Sequence, residues 1–249
     1  MAVENNNSNL KVIDVGSHVH FSSFAGLLEK IVKIDEATNI KGKIEEKKRL
    51  VQQFLELWRE KAKQLKKTCK QDEKINDSFL PIMRFLLPDI SGRVYGLKEN
   101  KLGNYLIEVL SISKNSTDGK KLLNYRAPQN AKSDGDFASV AFFVLKTRCV
   151  EKTDEKDKLT IEDVNKHLNL IAINNTKGKE GHSEVSKSIR FLIMHLSAVQ
   201  LKWLIRIILK DLKIGIKENA IFDVYHVRIK INYFPLIFTI FKHFQPLID

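Results

Sequence analysis

Residues 197–215, SAVQLKWLIRIILKDLKIG, decide the fold class because their apolar and basic residues both recur at helical spacing. Four cations fall on one side of a helix drawn through them: Lys202, Arg206, Lys210 and Lys213. At about 100° per residue they lie within about 80° of one another. The opposite side carries residues that can enter a core: Leu204, Ile205, Ile208 and Leu212. The pattern predicts a helix over 197–213 with a buried face and a basic stripe.

The same periodicity recurs along most of the chain and predicts about ten helices. A long amphipathic segment covers 41–69, and the apolar run 79–87 has Pro81 in its first turn and is stopped by Pro88. Further helices are predicted at 98–112, 117–125, 136–151, 160–173, 184–196 and 217–226, with Thr160 and Ser197 as N-caps. Strand signals are scarce, apart from residues 229–240, where Pro235 argues against a central strand. The expected fold is all-α.

We expect three parts in the chain. Residues 1–16 are polar and Asn-rich, which predicts a disordered lead-in. Residues 17–228 form the predicted helical domain, and 229–249 a divergent tail. The joints between helices are too short for an interdomain linker, so we expect one compact domain.

The amino-acid composition limits the classes of partner that the protein can bind. The 249 residues include 42 Lys and Arg against 30 Asp and Glu, a formal net charge of +12. Two cysteines, Cys69 and Cys149, exclude a disulfide scaffold or a cysteine-rich zinc protein and favour a reducing compartment. No apolar run reaches the roughly 18 residues of a membrane span, and no secretory signal opens the chain. These features predict a soluble intracellular protein whose first partner is a polyanion, nucleic acid ahead of acidic lipid.

Two regions supply the positive charge. Residues 41–70 carry eleven Lys or Arg against four acids, and residues 177–217 carry nine against three. In the second region, the stripe ends at Gly215, where the next helix could offer free N–H groups to a phosphate. The alternative is a solvated face whose last lysines only complement the helix dipole. The first region, a crowded helix end, is more typical of a solvated face.

Catalytic signals are weak. Lys132 begins a Lys-x-Asp-Gly tetrad (132–135), the nucleophile motif of enzymes that form a lysine–AMP adduct. Those enzymes usually carry an Arg two residues after the Gly, where this chain has Phe137. We therefore interpret the tetrad as a polar loop before a helix capped by Asp136. The histidines are scattered, and neither cysteine has a partner at zinc spacing, so no catalytic residue and no metal ligand is predicted.

Several blocks together resemble the DNA-binding N-terminal domain of eukaryotic ATP-dependent DNA ligases, most of all the ligase IV type that acts in end joining. They are LLNYR (122–126), GDFA (135–138), FVLKTRC (143–149), LTIEDVN (159–165) and KWLIRIILKDLKIG (202–215). Earlier stretches fit as well: SHV (17–19), FLELWR (54–59) and DSFLPIMR (77–84). The resemblance extends over about residues 17–226.

This resemblance implies an all-helical, monomeric nuclear domain that grips the minor groove of nicked or broken duplex DNA in double-strand break repair by non-homologous end joining. ATP and Mg²⁺ serve the full-length family, whose catalytic lysine lies in a later domain, so this chain is expected to need no cofactor and to be an inactive fragment. We expect eight residues to face DNA: Arg126, Lys132, Asn174, Asn175, Lys177, Lys210, Lys213 and Gly215. The cations among them would contact phosphates without reading sequence.

A rival interpretation is a helical interaction module of the end-joining machinery that never touches DNA. The family can dock a nuclease peptide on its first helices. The corresponding face here would use Leu50, Phe54 and Trp58, although aromatic residues at helical spacing more often pack inward.

Overall fold

Ten α-helices and two short strands form the described part of the chain, which in this computed structural model covers residues 11–37, 42–127, 136–149 and 158–226. The first helices are α1 (Phe21–Glu36), α2 (Lys43–Thr68), α3 (Leu80–Leu86), α4 (Glu99–Val109) and α5 (Thr117–Leu123). The later ones are α6 (Phe137–Lys146), α7 (Ile161–Asn175), α8 (His182–His195), α9 (Ala198–Leu209) and α10 (Glu218–His226). The fold is mostly α, as the helical periodicity predicted.

One hydrophobic core includes residues from every helix. The helices pack as neighbours in sequence, α1 with α2 and α7 with α8, or as pairs distant in sequence, α6 with α9 and α2 with α10. Helix α9 lies at the centre, since Trp203 and Ile207 are completely buried. The apolar side of residues 197–213 therefore enters the core, as its periodicity predicted.

The N-terminal residues correct one prediction. Residues 11–16 were assigned to a disordered lead-in, but Lys11–Asp14 form strand β1 and Val15–His18 a 3-10 turn in which Val15 is completely buried. Strand β1 pairs in parallel with β2 (Glu73–Asn76), and helices α1 and α2 make the crossover between them. Two four-residue strands so far apart in the chain leave little trace in the sequence pattern. Residues 1–10 and the predicted tail 229–249 lie outside the described residues.

Helix starts follow the predicted caps. Thr160 accepts a hydrogen bond from the Asp163 N–H, and the Asp163 carboxylate accepts one from the Thr160 N–H, which completes a capping box. Ser197 and Gln200 form the same arrangement at α9. Pro81 lies in the first turn of α3. These local side chains fix where the helices of the core begin.

Candidate nucleic-acid interface

The predicted helix 197–213 is shorter than its periodicity suggested. Helix α9 ends at Leu209, and Lys210 adopts a left-handed conformation with φ of 60°. The Lys210 N–H donates to Ile207 O, and the Asp211 N–H donates to Arg206 O, the paired bonds of a Schellman motif. Lys210 and Lys213 therefore lie on a turn rather than on a continuing helical stripe.

Both lysines of this turn have an unusual backbone. Lys213 also has a positive φ, 53°, and the only other such non-glycine residue in the described ranges is Ser111. A left-handed conformation costs a residue with a Cβ about 1 kcal/mol or more, and the position after a helix usually holds Gly. Lysine at two such positions marks the turn as a candidate functional site, because backbone strain concentrates at functional sites.

Arg206, in the middle of the predicted stripe, is bound inside the protein. Its Nη2 and Nε donate to Asp136 Oδ2 at 2.6 and 3.2 Å, with 11% and 9% of the two side chains exposed. Burial would raise the pKa of Asp136, but the hydrogen bonds and charge of Arg206, helped by Ser139 and Lys213, outweigh it and lower that pKa. The guanidinium also stacks over the Trp203 ring at 4.9 Å. Arg206 therefore joins α9 to the start of α6 and has no free face for a phosphate.

Asp136 does not have the helix-capping role that the sequence predicted. Helix α6 begins after Asp136 as predicted, but the side chain makes no capping hydrogen bond to the α6 backbone. It accepts from Arg206 and from the Ser139 hydroxyl instead, and Lys213 Nζ lies 3.8 Å from its second oxygen. Asp136 is thus a junction between helices α6 and α9 and the Lys213 turn.

Lys202, at the start of the predicted stripe, is also paired internally. Its Nζ lies 2.5 Å from Glu29 Oε1 on α1, an oxygen that also accepts the Trp203 indole N–H at 2.6 Å. The ammonium sits over the Phe142 and Trp203 rings at 5.5 and 5.0 Å. Lys202 therefore connects α9 to α1.

Lys210 borders a groove of about 620 Å³ that we call the Gly96 groove. Its floor is largely apolar and its edges are basic; the residues that line it include Val94, Gly96, Lys98, Lys101, Ile208 and Lys210. Val94 is exposed, and Gly96 has a φ of +58°. No ion pair to Lys210 occurs within the described ranges, whereas Lys202, Arg206 and Lys213 each have one. A groove with an apolar floor and lysines along its edges suits a sugar–phosphate backbone.

A second groove, of about 510 Å³, continues the surface toward Arg126. Lys98 and Asn100 line both grooves, so Arg126 and Lys210 lie along one surface. The Arg126 guanidinium is over the Tyr125 ring, 5.1 Å from its centroid, and the residue is exposed. Lys98 and Lys101 were not in the predicted set. They give no sequence signal because only tertiary packing brings them beside α9.

The predicted asparagines at the end of α7 have different positions. Asn174 is 8% exposed, and its side-chain amide donates to Leu170 O at 2.9 Å, so this side chain serves the helix end rather than a surface site. Asn175 accepts a 2.7 Å hydrogen bond from Lys101 Nζ and packs against Gly96, where a Cβ would be 2.1 Å from its Nδ2. Lys177 is exposed in the turn that follows. Asn175 thus lies beside the Gly96 groove, and Asn174 does not face out.

Gly215 has a φ of +60° and lies against an ion pair between the buried Lys47 and the half-exposed Asp35. Helix α10 begins soon after it, at Glu218. A carboxylate in the first turn already complements the helix dipole and would repel a phosphate, so the predicted N–H site there gains no support. The glycine is required by the turn, since a side chain would be strained and obstructed.

The predicted peptide face is part of the core. Phe54 and Trp58 are almost completely buried and pack on Phe79, with ring centroids 6.4 and 5.5 Å apart, and Leu50 is half-buried. A peptide could not reach the two aromatic residues without unfolding α2. The prediction of a partner site on them is wrong, and the inward packing that aromatic periodicity favoured is confirmed.

Several cations of the other basic region are paired with nearby acids. On α2, Lys48, Arg49 and Lys63 bind acids three residues earlier, and Lys66 binds Asp77. Such exposed pairs leave a solvated, locally neutralised face. The predicted Lys132 lies outside the described residues. Within the described ranges no group of three metal-binding side chains occurs, and no helix there is long and apolar enough to cross a membrane.

Comparison with known proteins shows the family to which this helical domain belongs. The family described as DNA ligase N terminus matches residues 20–226. The chain belongs to this family of DNA ligase N-terminal domains.

Within that family the similarity is to DNA ligase 4. The chain is 41% identical to the Homo sapiens protein of that name over 215 residues, which make up 85% of this chain and 22% of the human one. Identity to the Gallus gallus protein is 38% over the same shares, and to the Neurospora crassa protein 30% over 73% of this chain and 16% of that protein. The chain is therefore a ligase IV-type N-terminal domain that spans about a fifth of the length of these relatives.

Proposed function

We propose that this chain binds duplex DNA that carries a nick or a break, through its sugar–phosphate backbone. The binding surface would comprise the Gly96 groove, the groove at Arg126 and the turn that carries Lys210 and Lys213. The observation that carries the proposal is the pair of surface lysines at positive φ, one of which has no ion-pair partner in the described ranges. The name of the relatives, DNA ligase 4, supports DNA as the substrate class.

The contacts would be electrostatic and independent of sequence. Five cations border the two grooves or the turn: Lys98, Lys101, Arg126, Lys210 and Lys213. Their ammonium and guanidinium groups would neutralise phosphates, while the exposed Val94 offers an apolar surface for deoxyribose. Because phosphate contacts release condensed counterions, affinity would depend strongly on salt.

Fluorescence anisotropy of a labelled nicked duplex tests this proposal. If four cations neutralise phosphates, affinity falls about a hundredfold between about 50 and 200 mM salt, since the logarithmic slope is about −0.9 per phosphate. An intact duplex and a single strand of the same sequence are the controls for selectivity toward nicked DNA. An affinity that does not change with salt would contradict the proposal.

We also infer the biological setting from the ligase IV-type domain. The domain would act as a monomer in the nucleus, in the repair of double-strand breaks by end joining. A fluorescent fusion of the chain should accumulate at induced breaks in nuclei, and its Lys210→Glu/Lys213→Glu variant should not. Equal behaviour of the two fusions would contradict this setting.

A further inference from the structure

We propose that Lys47, together with Asp35, is a positioning residue that holds the Lys213 turn in the conformation that binds phosphate. This inference rests on the proposed DNA binding and adds to it two residues far from the grooves in sequence. Neither residue would touch DNA. Their effect would pass through the backbone of residues 213–215.

Lys47 is an unusual lysine because only 2% of it is exposed. Its Nζ donates to the backbone carbonyl of Ile214 at 2.8 Å and lies 2.6 Å from Asp35 Oδ1. Burial of an ammonium group is costly unless it is paired and hydrogen-bonded, and a buried ion pair is often no more stabilising than apolar residues of the same volume. Core stability therefore gives little reason for a lysine here, whereas the need to hold one carbonyl in place does.

The turn is built around this ammonium group. Lys213 and Gly215, on either side of Ile214, both have positive φ, 53° and 60°. A Cβ on Gly215 would lie 2.7 Å from Lys47 Nζ and 3.1 Å from Asp35 Oδ2, so the backbone can approach the pair only as glycine. The Ile214 side chain is buried, and the Lys213 side chain is 45% exposed. The buried lysine thus determines the backbone from which an exposed lysine projects.

Asp35 belongs to the same arrangement. It lies near the C-terminal end of α1, and Lys43 Nζ donates to its backbone carbonyl at 2.8 Å across the connection to α2. Its carboxylate is 46% exposed, so solvent reaches the pair from that side. Helices α1 and α2 therefore support the turn through one buried and one half-exposed charge. Either charge can be removed by mutation to test the positioning role.

A double-mutant cycle in the full chain tests the inference. Lys47→Met, Lys213→Gln and the double variant are titrated with the nicked duplex, and circular dichroism and urea unfolding report whether each one is folded. Lys47→Met alone should weaken binding about tenfold, about 1.4 kcal/mol. On the Lys213→Gln background the same change should weaken it less than about twofold, because groups that act through one another are not additive.

Two further variants complete the design. Lys66→Met removes a lysine from the far end of the same helix, where it pairs with the exposed Asp77, and should leave affinity unchanged. Asp35→Asn replaces Lys47→Met in the cycle if the latter does not fold, because the amide oxygen of asparagine can still accept a hydrogen bond from Lys47 Nζ.

The outcomes separate the two proposals. Additive losses in the cycle, or unchanged affinity in folded Lys47→Met and Asp35→Asn, would overturn the positioning role and leave DNA binding intact. A wild-type chain that does not bind DNA would overturn the proposed function itself.

Discussion

The two ends of the basic segment 202–213 each carry two cations but have different surroundings. At the N-terminal end, Lys202 and Arg206 are bound by Glu29 and Asp136 and lie over aromatic rings. At the C-terminal end, Lys210 has no ion pair within the described part of the chain, and Lys213 keeps only a 3.8 Å approach to Asp136. The first pair of cations joins helices; the second pair is the one that we propose contacts DNA.

Periodicity alone could not separate the two ends. A cation on a helix is available for binding only if no carboxylate from another element neutralises it, and Glu29 and Asp136 lie far away in sequence. The left-handed backbone at the C-terminal end gives a second, independent distinction. A basic stripe therefore predicts a binding surface only after its internal partners are known.

The largest expected effect is on stability, from the N-terminal end. Arg206→Met should lower the free energy of unfolding by about 3 kcal/mol, because it leaves the mostly buried Asp136 carboxylate without its partner. Urea unfolding at neutral pH measures the loss. A change below about 1 kcal/mol would mean that Arg206 is not structural and would remove the contrast between the two ends.

The next effect is on binding, from the C-terminal end. Lys210→Glu/Lys213→Glu should weaken affinity for a nicked duplex about thirtyfold, about 2 kcal/mol, since two phosphate contacts become repulsive. Its unfolding free energy should stay within about 1 kcal/mol of wild type, since both side chains lie at the surface. Anisotropy and urea unfolding check the two statements, and full retention of affinity would contradict the assignment of these lysines.

Lowering the pH should remove the stability that the ion pair between Asp136 and Arg206 contributes. The folded-state pKa of Asp136 lies below its ordinary value of 3.8, so the pair's contribution is complete above that value and is lost as pH falls through the lower, folded-state pKa. The stability difference between wild type and Asp136→Asn should therefore be constant from pH 7 to about pH 5 and shrink toward pH 2. Unfolding curves over this range measure it, and a difference that does not change with pH would contradict the pairing.

The smallest expected effect is at Lys210, where backbone strain and DNA binding can be measured separately. Lys210→Gly should raise the free energy of unfolding by about 0.5 to 1 kcal/mol, because glycine adopts φ of 60° without a Cβ clash. The same variant should bind DNA a few times more weakly, as it loses one phosphate contact. Lys210→Gln is the control, since it removes the charge without relieving the strain. A Lys210→Gly variant no more stable than Lys210→Gln would show that the turn is not strained.

Local signals predicted the helix starts, and tertiary contacts decided the site. Thr160, Ser197 and Pro81 fix helix starts through their own backbone neighbourhood, so the sequence was sufficient there. The predicted helix 197–213 is too long because Lys210 occupies the position after α9 where a Gly would have indicated the helix end.

The candidate site was only partly predictable for the same reason. Arg126 and Lys210, both predicted to face DNA, line the grooves, whereas Lys98 and Lys101 reach them only through the packing of α4 against the rest of the core. Asn174, predicted to face DNA, instead donates its side-chain amide to the Leu170 carbonyl at the end of α7. The hydrogen bond of Lys47 goes to a carbonyl 167 residues away, which no local pattern indicates.

The salt dependence of DNA binding tests the contrast between the two ends most directly. Wild type, Lys210→Gln/Lys213→Gln and Lys202→Gln are titrated with the nicked duplex at several salt concentrations. The double variant should reduce the slope of log affinity against log salt by about 1.8, about 0.9 for each lost phosphate contact, and Lys202→Gln should leave the slope unchanged. Equal slopes for wild type and the double variant, or a reduced slope for Lys202→Gln, would contradict the assignment of binding to the C-terminal end.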